Sequence, residues 1–426
     1  METHSGGDAR ANHISHRRPR RPLEVGSLKR SPLLVVLFTV FVDLIGFGII
    51  IPLLPFYTEQ VGGGPAILGL LIAAFFAMQF VFSPILGRLS DRVGRRPVLL
   101  GSLVLSTAGH LTLSFANSLV LLFTARILAG VASGNLSVAQ AYVADRTTPQ
   151  ERPRGMGLIG AAFGVGFAVG PVIGGTFAPL GLAAPALAAA ALAASNFGLA
   201  ALLLPESLTP DMRRRNGTRR RTSFRDAIRR PAIRALLITF ILVSFAFSGI
   251  PVAFPSLGIA YFGLGTTELA LIFVYIGVIQ IVVGTAAGRL ARRAGEERLV
   301  ATGTVAMMAG LAAVPWIANV NAYVLLTGVV ATGVAIAFPL VPSLVSKRTP
   351  PHEQGAILGI TQSLGSLARV PGPLVAGVLF EQVNTAAPFL LGAGLMAIGF
   401  AMTLLVYRES RNQAAIRAAV GPADES

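Results

Sequence analysis

Residues 33–55 read LLVVLFTVFVDLIGFGIIIPLLP, with Asp43 as the single charged side chain. A helix rising 1.5 Å per residue crosses about 30 Å of hydrocarbon in roughly 20 residues, so this stretch is long and apolar enough to span a bilayer. It lacks the strict alternation of a barrel strand. Working outward from Leu33 to Pro55, charge and Pro/Gly punctuation mark further runs of the same kind. They cover Ala66 to Leu86, Pro97 to Ala116, Leu119 to Tyr142, Gly155 to Pro179, Ala184 to Leu204, Ile233 to Leu257, Glu268 to Leu290, Leu299 to Ile317, Ala322 to Val345, Gly355 to Phe380 and Thr385 to Tyr407. The expected fold is therefore an all-α polytopic membrane protein of twelve spans.

Composition agrees, because 53% hydrophobic and 13% charged residues cannot furnish a water-exposed surface for 426 residues. With no cysteine there is no disulfide framework, thiol nucleophile or thiolate metal site. The five histidines are scattered without ligand spacing. No metal, no cofactor and no enzymatic chemistry are expected, and no phosphate-binding loop suggests nucleotide-driven work.

A net charge of +16 invites a nucleic-acid reading until the basic residues are placed. With the amino terminus on the inside, 33 of the 35 Lys and Arg fall on the inner side and no outer loop carries one. The other two, Arg126 and Arg369, lie within spans. The positive-inside rule then puts both termini in the cytoplasm of a plasma or bacterial inner membrane. Nucleic acid is not an expected partner; a small-molecule substrate, protons and anionic lipid headgroups are, and the protein is read as a monomer.

Residues 1–32, polar and Arg-rich, predict a disordered basic tail on the cytoplasmic side. The run after it is too long for a signal-peptide core and lacks a small-residue cleavage site. Residues 205–232 form a basic linker with Arg213–Arg215 and Arg219–Arg221 between a six-helix bundle at 33–204 and a second at 233–407, followed by a tail at 408–426. The halves repeat. Gly87-Arg-Leu-Ser-Asp-Arg-Val-Gly94 aligns with Gly288-Arg-Leu-Ala-Arg-Arg-Ala-Gly295 at an offset of 201, as does Gln79 with Gln280. Arg146-x-x-Pro149-x-Glu151 with Gly170-Pro171 and Gly175 aligns with Arg348-x-x-Pro351-x-Glu353 with Gly372-Pro373 and Gly377 at an offset of 202. An even number of spans per half gives both repeats one orientation, with a binding site expected between them near mid-depth.

Four motifs carry a resemblance. The loop Gly87-Arg-Leu-Ser-Asp91-Arg92-Val-Gly94-Arg95-Arg96 between spans two and three resembles the signature loop of the major facilitator superfamily. Asp43-Leu-Ile-Gly46-Phe-Gly48 with Pro52 and Pro55, Arg126-x-x-x-Gly130-x-x-x-Gly134, and Gly166-x-x-x-Gly170-Pro171-x-x-Gly174-Gly175 resemble its twelve-helix drug/proton antiporters, tetracycline exporters among them. The resemblance implies two pseudo-symmetric six-helix bundles and, through the fifth-span pattern, antiport. It also implies that Asp91 caps the eleventh helix near Gln354 and Gly355, latching the cytoplasmic side shut. Read without the family, the same loop is a topogenic basic cluster with one balancing acid. Gly166, Gly170 and Gly174 share one helix face and admit a neighbouring backbone, expected to be that of the eighth span near Gly277, Gly284 and Gly288; whether this packing serves coupling or only association is open.

Charges within spans are the sharpest functional signal, since each costs at least a few kcal/mol at the bilayer centre. Asp43 lies about 15 Å into its span and Arg126 about 10 Å into the fourth, so the two are expected to pair. Burial and a nearby cation act on a carboxylate's proton affinity in opposite directions. Rocking that separates the pair would load or release a proton; a static bridge that only fixes packing is the competing reading. Arg369 has three readings: facing the cavity, bonding carbonyls near Pro371 and Pro373, or contacting substrate. The substrate cavity is expected to draw on Gln79, Asn135, Gln280, Gln362, Arg369, Phe76 and Phe247, and His110 is read as a packing residue. The resulting function is proton-coupled efflux of small amphipathic compounds, including antibiotics. Transport of an organic anion or lipid, favoured by the surplus arginines, is the alternative, and a non-transporting receptor a third.

Overall fold

The computed structural model describes residues 32–148, 152–208, 229–350 and 353–420. Among them every regular element is helical, and twelve helices are long and apolar enough to cross a membrane. They are Leu33–Gln60, Pro65–Val93, Arg95–Ser114, Leu119–Arg146, Gly155–Leu180, Ala183–Leu203, Pro231–Phe262, Thr266–Ala294, Glu296–Trp316, Val320–Lys347, Gln354–Gln382 and Ala387–Asn412. The expected all-α, twelve-span fold is what forms. The amino-terminal tail, the core of the linker, Pro149, Glu151, Pro351 and the last six residues lie outside the described residues.

One boundary is corrected. The Gly87–Arg96 motif is not a loop: the second span continues as helix to Val93, and the third begins at Arg95. Gly94 alone makes the turn, at φ 114°, where a side chain would be strained. Gly295 does the same between the eighth and ninth spans at φ 88°. The duplication thus reaches the backbone, and it extends to caps the motif alignment did not use. Ser118 accepts the N–H of Leu121 ahead of the fourth span, and Asn319, 201 positions on, accepts that of Ala322 ahead of the tenth.

Three spans are interrupted where the sequence withholds regular helix. Pro52 tightens the first into a short 3-10 turn at Ile51–Leu53. The fourth breaks at Gly134, which lies against the backbone of Phe82 and Ser83. The eleventh breaks at Arg369 and Val370, ahead of Pro371.

The packed interior shows how the halves meet. One cluster of buried side chains runs through both, from Ile49, Leu54 and Leu68 to Phe254, Leu269 and Tyr323. Toward the end that carries the basic inter-span turns it divides. Val36, Leu99 and Tyr142 core the first half there, and Leu236, Val300 and Leu344 core the second, as separate clusters. The halves are joined at one end and parted at the basic end.

Candidate functional site

A cavity of about 680 Å³, counted with solvent at its mouth, is lined by the first half, with Arg369 the one lining residue from the second. The first span contributes Asp43, the second Phe76 and Gln79, the third Ser106 and His110, the fourth Arg126 and Asn135, and the eleventh Arg369. Asp43 is the one carboxylate among its lining residues. Its Oδ1 accepts from Ser106 Oγ at 3.2 Å and its Oδ2 from Asn135 Nδ2 at 3.4 Å. Gly46, one turn on, leaves room for the His110 ring, since a Cβ there would stand 2.9 Å from Nε2.

The expected pairing of Asp43 with Arg126 is not made; no ion pair joins them among the described residues. Arg126, 3% exposed, instead lays its guanidinium carbon 4.6 Å over the Phe75 ring, and its Nε and Nη2 have no hydrogen-bond partner. The reason is local. Neutral donors on the third and fourth spans already satisfy the carboxylate, while the ring offers the cation only a π-face. Arg369 lines the cavity, as one of its three readings had it; its Nε donates not to a carbonyl beside Pro371 or Pro373 but to that of Gly365 at 3.3 Å, with Nη2 on Ser366 Oγ at 3.0 Å. Its guanidinium also stands 5.8 Å from the Phe76 ring.

Of the expected cavity residues, Gln79, Asn135, Arg369 and Phe76 come together, Gln79 holding Ser133 Oγ at 2.7 Å. Gln280 and Phe247 do not; they line a separate apolar cavity of about 380 Å³ with Phe167, Phe254, Phe273 and Thr327. Gln362 is exposed and lines neither. Phe167 is the partition, its ring 6.3 Å from Phe47 on one side and 6.3 Å from Phe273 on the other. Ser106, Ser133 and Phe47 were missed, and His110 was read as packing only. The spacing of Ser106 and His110, one helical turn apart, was the available signal.

The signature motif is built differently from the expectation. Asp91 pairs with Arg95 of the same motif at 2.6 Å, across the turn at Gly94. It makes no bond to the eleventh span, and Gln354 instead donates to the Ser346 and Thr349 carbonyls. The latch cannot form here because the basic ends of the halves stand apart: a Cβ on Gly355, Gly359 or Gly288 would meet nothing within 4 Å. Arg95, buried, also reaches Asp145 at 3.1 Å and Ser90 Oγ at 2.6 Å. Glu206, just past the sixth span and not foreseen, accepts the backbone N–H groups of Arg95, Arg96, Ser207 and Leu208. Burial pushes its carboxyl up, but these donors outweigh it and hold it below the ordinary glutamate value. Arg96 caps the Ala201 carbonyl, while Arg92 is exposed.

The glycine face of the fifth span is also reassigned. A Cβ on Gly166, Gly170 or Gly174 would strike Leu44, Gly48 or Ile49 at 2.6–2.8 Å, so this face meets the first span of its own half. Pro171 adds its ring beside Gly48. The eighth span touches the neighbouring face, through Gly277 against Ala168 and Ala270 against Gly175. A Cβ on Gly284 or Gly288 would meet nothing within 4 Å.

The sequence pattern of the Major Facilitator Superfamily matches residues 36–373. The chain is 42% identical over 156 residues to the tetracycline resistance protein, class C, of Escherichia coli, covering 36% of this chain and 39% of that protein. It is 28% identical to multidrug resistance protein 2 of Bacillus subtilis, covering 90% of this chain and 96% of that one. The crystal structure of the human organic anion transporter MFSD10 superposes with a TM-score of 0.67 at 26% identity, over 87% of this chain and 98% of that one.

Proposed function

The chain belongs to the major facilitator superfamily, a transporter rather than an enzyme, and from that premise we propose that it exports small amphipathic compounds in exchange for protons by alternating access. The observation that carries the reading is Asp43: a single carboxylate, deep in a span, opening on a cavity lined by the first half and Arg369 of the second, with the halves parted at one end only. A charge so placed is costly unless it works on a partner or on water. The basic end is taken as cytoplasmic by the positive-inside rule, so the cavity opens inward to receive cargo. Relatives named for tetracycline and multidrug resistance support export of that class.

In this account Asp43 carries the proton. Ser106 and Asn135 hold its carboxylate when ionised, and Arg126 stands on the same wall, in the same half. The Asp91 latch belongs to the opposite conformation, when the basic ends meet. The test is uptake of a panel of dyes and antibiotics into inside-out proteoliposomes under an imposed proton gradient. Accumulation abolished by a protonophore is expected; gradient-independent equilibration of every compound would remove the coupling.

A further inference from the structure

The cavity holds two guanidinium groups and one carboxylate, and the carboxylate is engaged with neither. Arg126 is the more demanding. A cation over a ring face leaves its in-plane N–H donors unused, and here Nε and Nη2 are buried without a partner. A buried charge in that condition is strongly unfavourable, and an acidic oxygen is the group that relieves it most. Arg369 approaches from the other half, anchored to Gly365 and Ser366 at the break in its span, and each arginine is stacked on one of the adjacent rings Phe75 and Phe76.

We propose that Arg126 and Arg369 form an anion subsite, and that the cargo is an amphiphile bearing one ionised acidic group, a carboxylate, sulfonate or phosphate. A planar guanidinium matches such a group with paired N–H donors. Because the two arginines sit on opposite halves, the acidic group bridges them and its binding is sensitive to rocking. The apolar body lies along Phe47 and Phe75 toward Phe167, behind which the second cavity offers Phe247 and Phe273. This rests on the reading of the first cavity as the cargo site.

The probe is dansyl-aminohexanoate against its neutral carboxamide, measured by equilibrium dialysis with the full chain in phosphatidylcholine nanodiscs and no proton gradient. The acid is expected to bind about tenfold or more tighter than the amide. Arg126→Gln and Arg369→Gln should each reduce that preference about tenfold, while amide binding stays within about twofold. Arg369→Lys should retain part of it, which separates loss of charge from loss of fold, and Arg369→Gln decides the matter should Arg126→Gln not fold. Equal affinity for acid and amide in the unaltered protein overturns the proposal, as does a preference that survives both glutamine substitutions. Displacement of the probe by phosphatidylglycerol in the disc but not by soluble hexanoate overturns a soluble cargo. Because no gradient is used, loss of proton coupling leaves this result standing, and loss of the acid preference leaves coupling untouched.

Discussion

The Glu381 carboxylate, at the end of the eleventh span away from the basic turns, accepts the backbone N–H of Ala66 at 2.8 Å, across 315 residues of sequence. Ala66 lies in the first turn of the second span, where free N–H groups and the helix dipole favour an anion. The contact ties the two halves at the closed end, where Gly69 and Gly377 already bring the second and eleventh spans into backbone contact with Pro373 and Pro65. The Asp91 latch expected from the sequence would join the same two spans at their other end. The Glu381 contact is made here and the Asp91 contact is not.

Glu381→Ala should therefore shift the population toward the state open at the far end, by about fivefold for an exposed charged hydrogen bond. The chain has no cysteine, so single introduced cysteines flanking the cavity report accessibility without background. Unchanged labelling at the far end would show that Glu381 only caps the second span.

Gly170 stands where a Cβ would lie 2.6 Å from the Gly48 backbone. Gly170→Ala should separate the first and fifth spans and lower stability by about 1–3 kcal/mol, while Gly288→Ala, in open space, should change little. Thermal unfolding in detergent distinguishes them, and equal effects would contradict the reassigned glycine face.

Much of the fold was legible because its signals are one-dimensional: apolar run length, placement of Lys and Arg, and repeats at a fixed offset. Asp43 and Arg126 declared themselves as charges inside spans. Their partners did not, since Ser106 and Asn135 reach Asp43 only through the rotation of three helices about their axes. The Glu381 contact and those of Glu206 with Arg95 and Arg96 join residues more than a hundred positions apart and leave no local pattern. The Asp91–Arg95 pair was within reach, four residues apart, and was missed because the motif was read as a loop.

That pair is half-exposed, so Asp91→Asn should cost about 1 kcal/mol or less of stability. Asp145→Asn removes the more buried partner of Arg95, and with it the bond from Ser207 Oγ, and should cost about 3 kcal/mol. Melting temperatures of the two variants in detergent check the order, and a larger loss in the Asp91 variant would reverse the assignment.

Glu206 gives a pH dependence of definite sign. Its carboxyl is held below the ordinary value of 4.5, so its contribution is present in full at neutral pH and is lost as pH falls through the folded-state value. The stability gap between the protein and Glu206→Gln should be largest near pH 7 and narrow on acidification. A gap independent of pH between 7 and 3 would mean that the charge is not what those N–H groups hold.

The central claim is that Asp43 exchanges the proton. In proteoliposomes, Asp43→Asn should abolish gradient-driven accumulation of a cargo while preserving its equilibrative exchange across the bilayer. Accumulation by the Asp43→Asn protein to the level of the unaltered one would contradict the account.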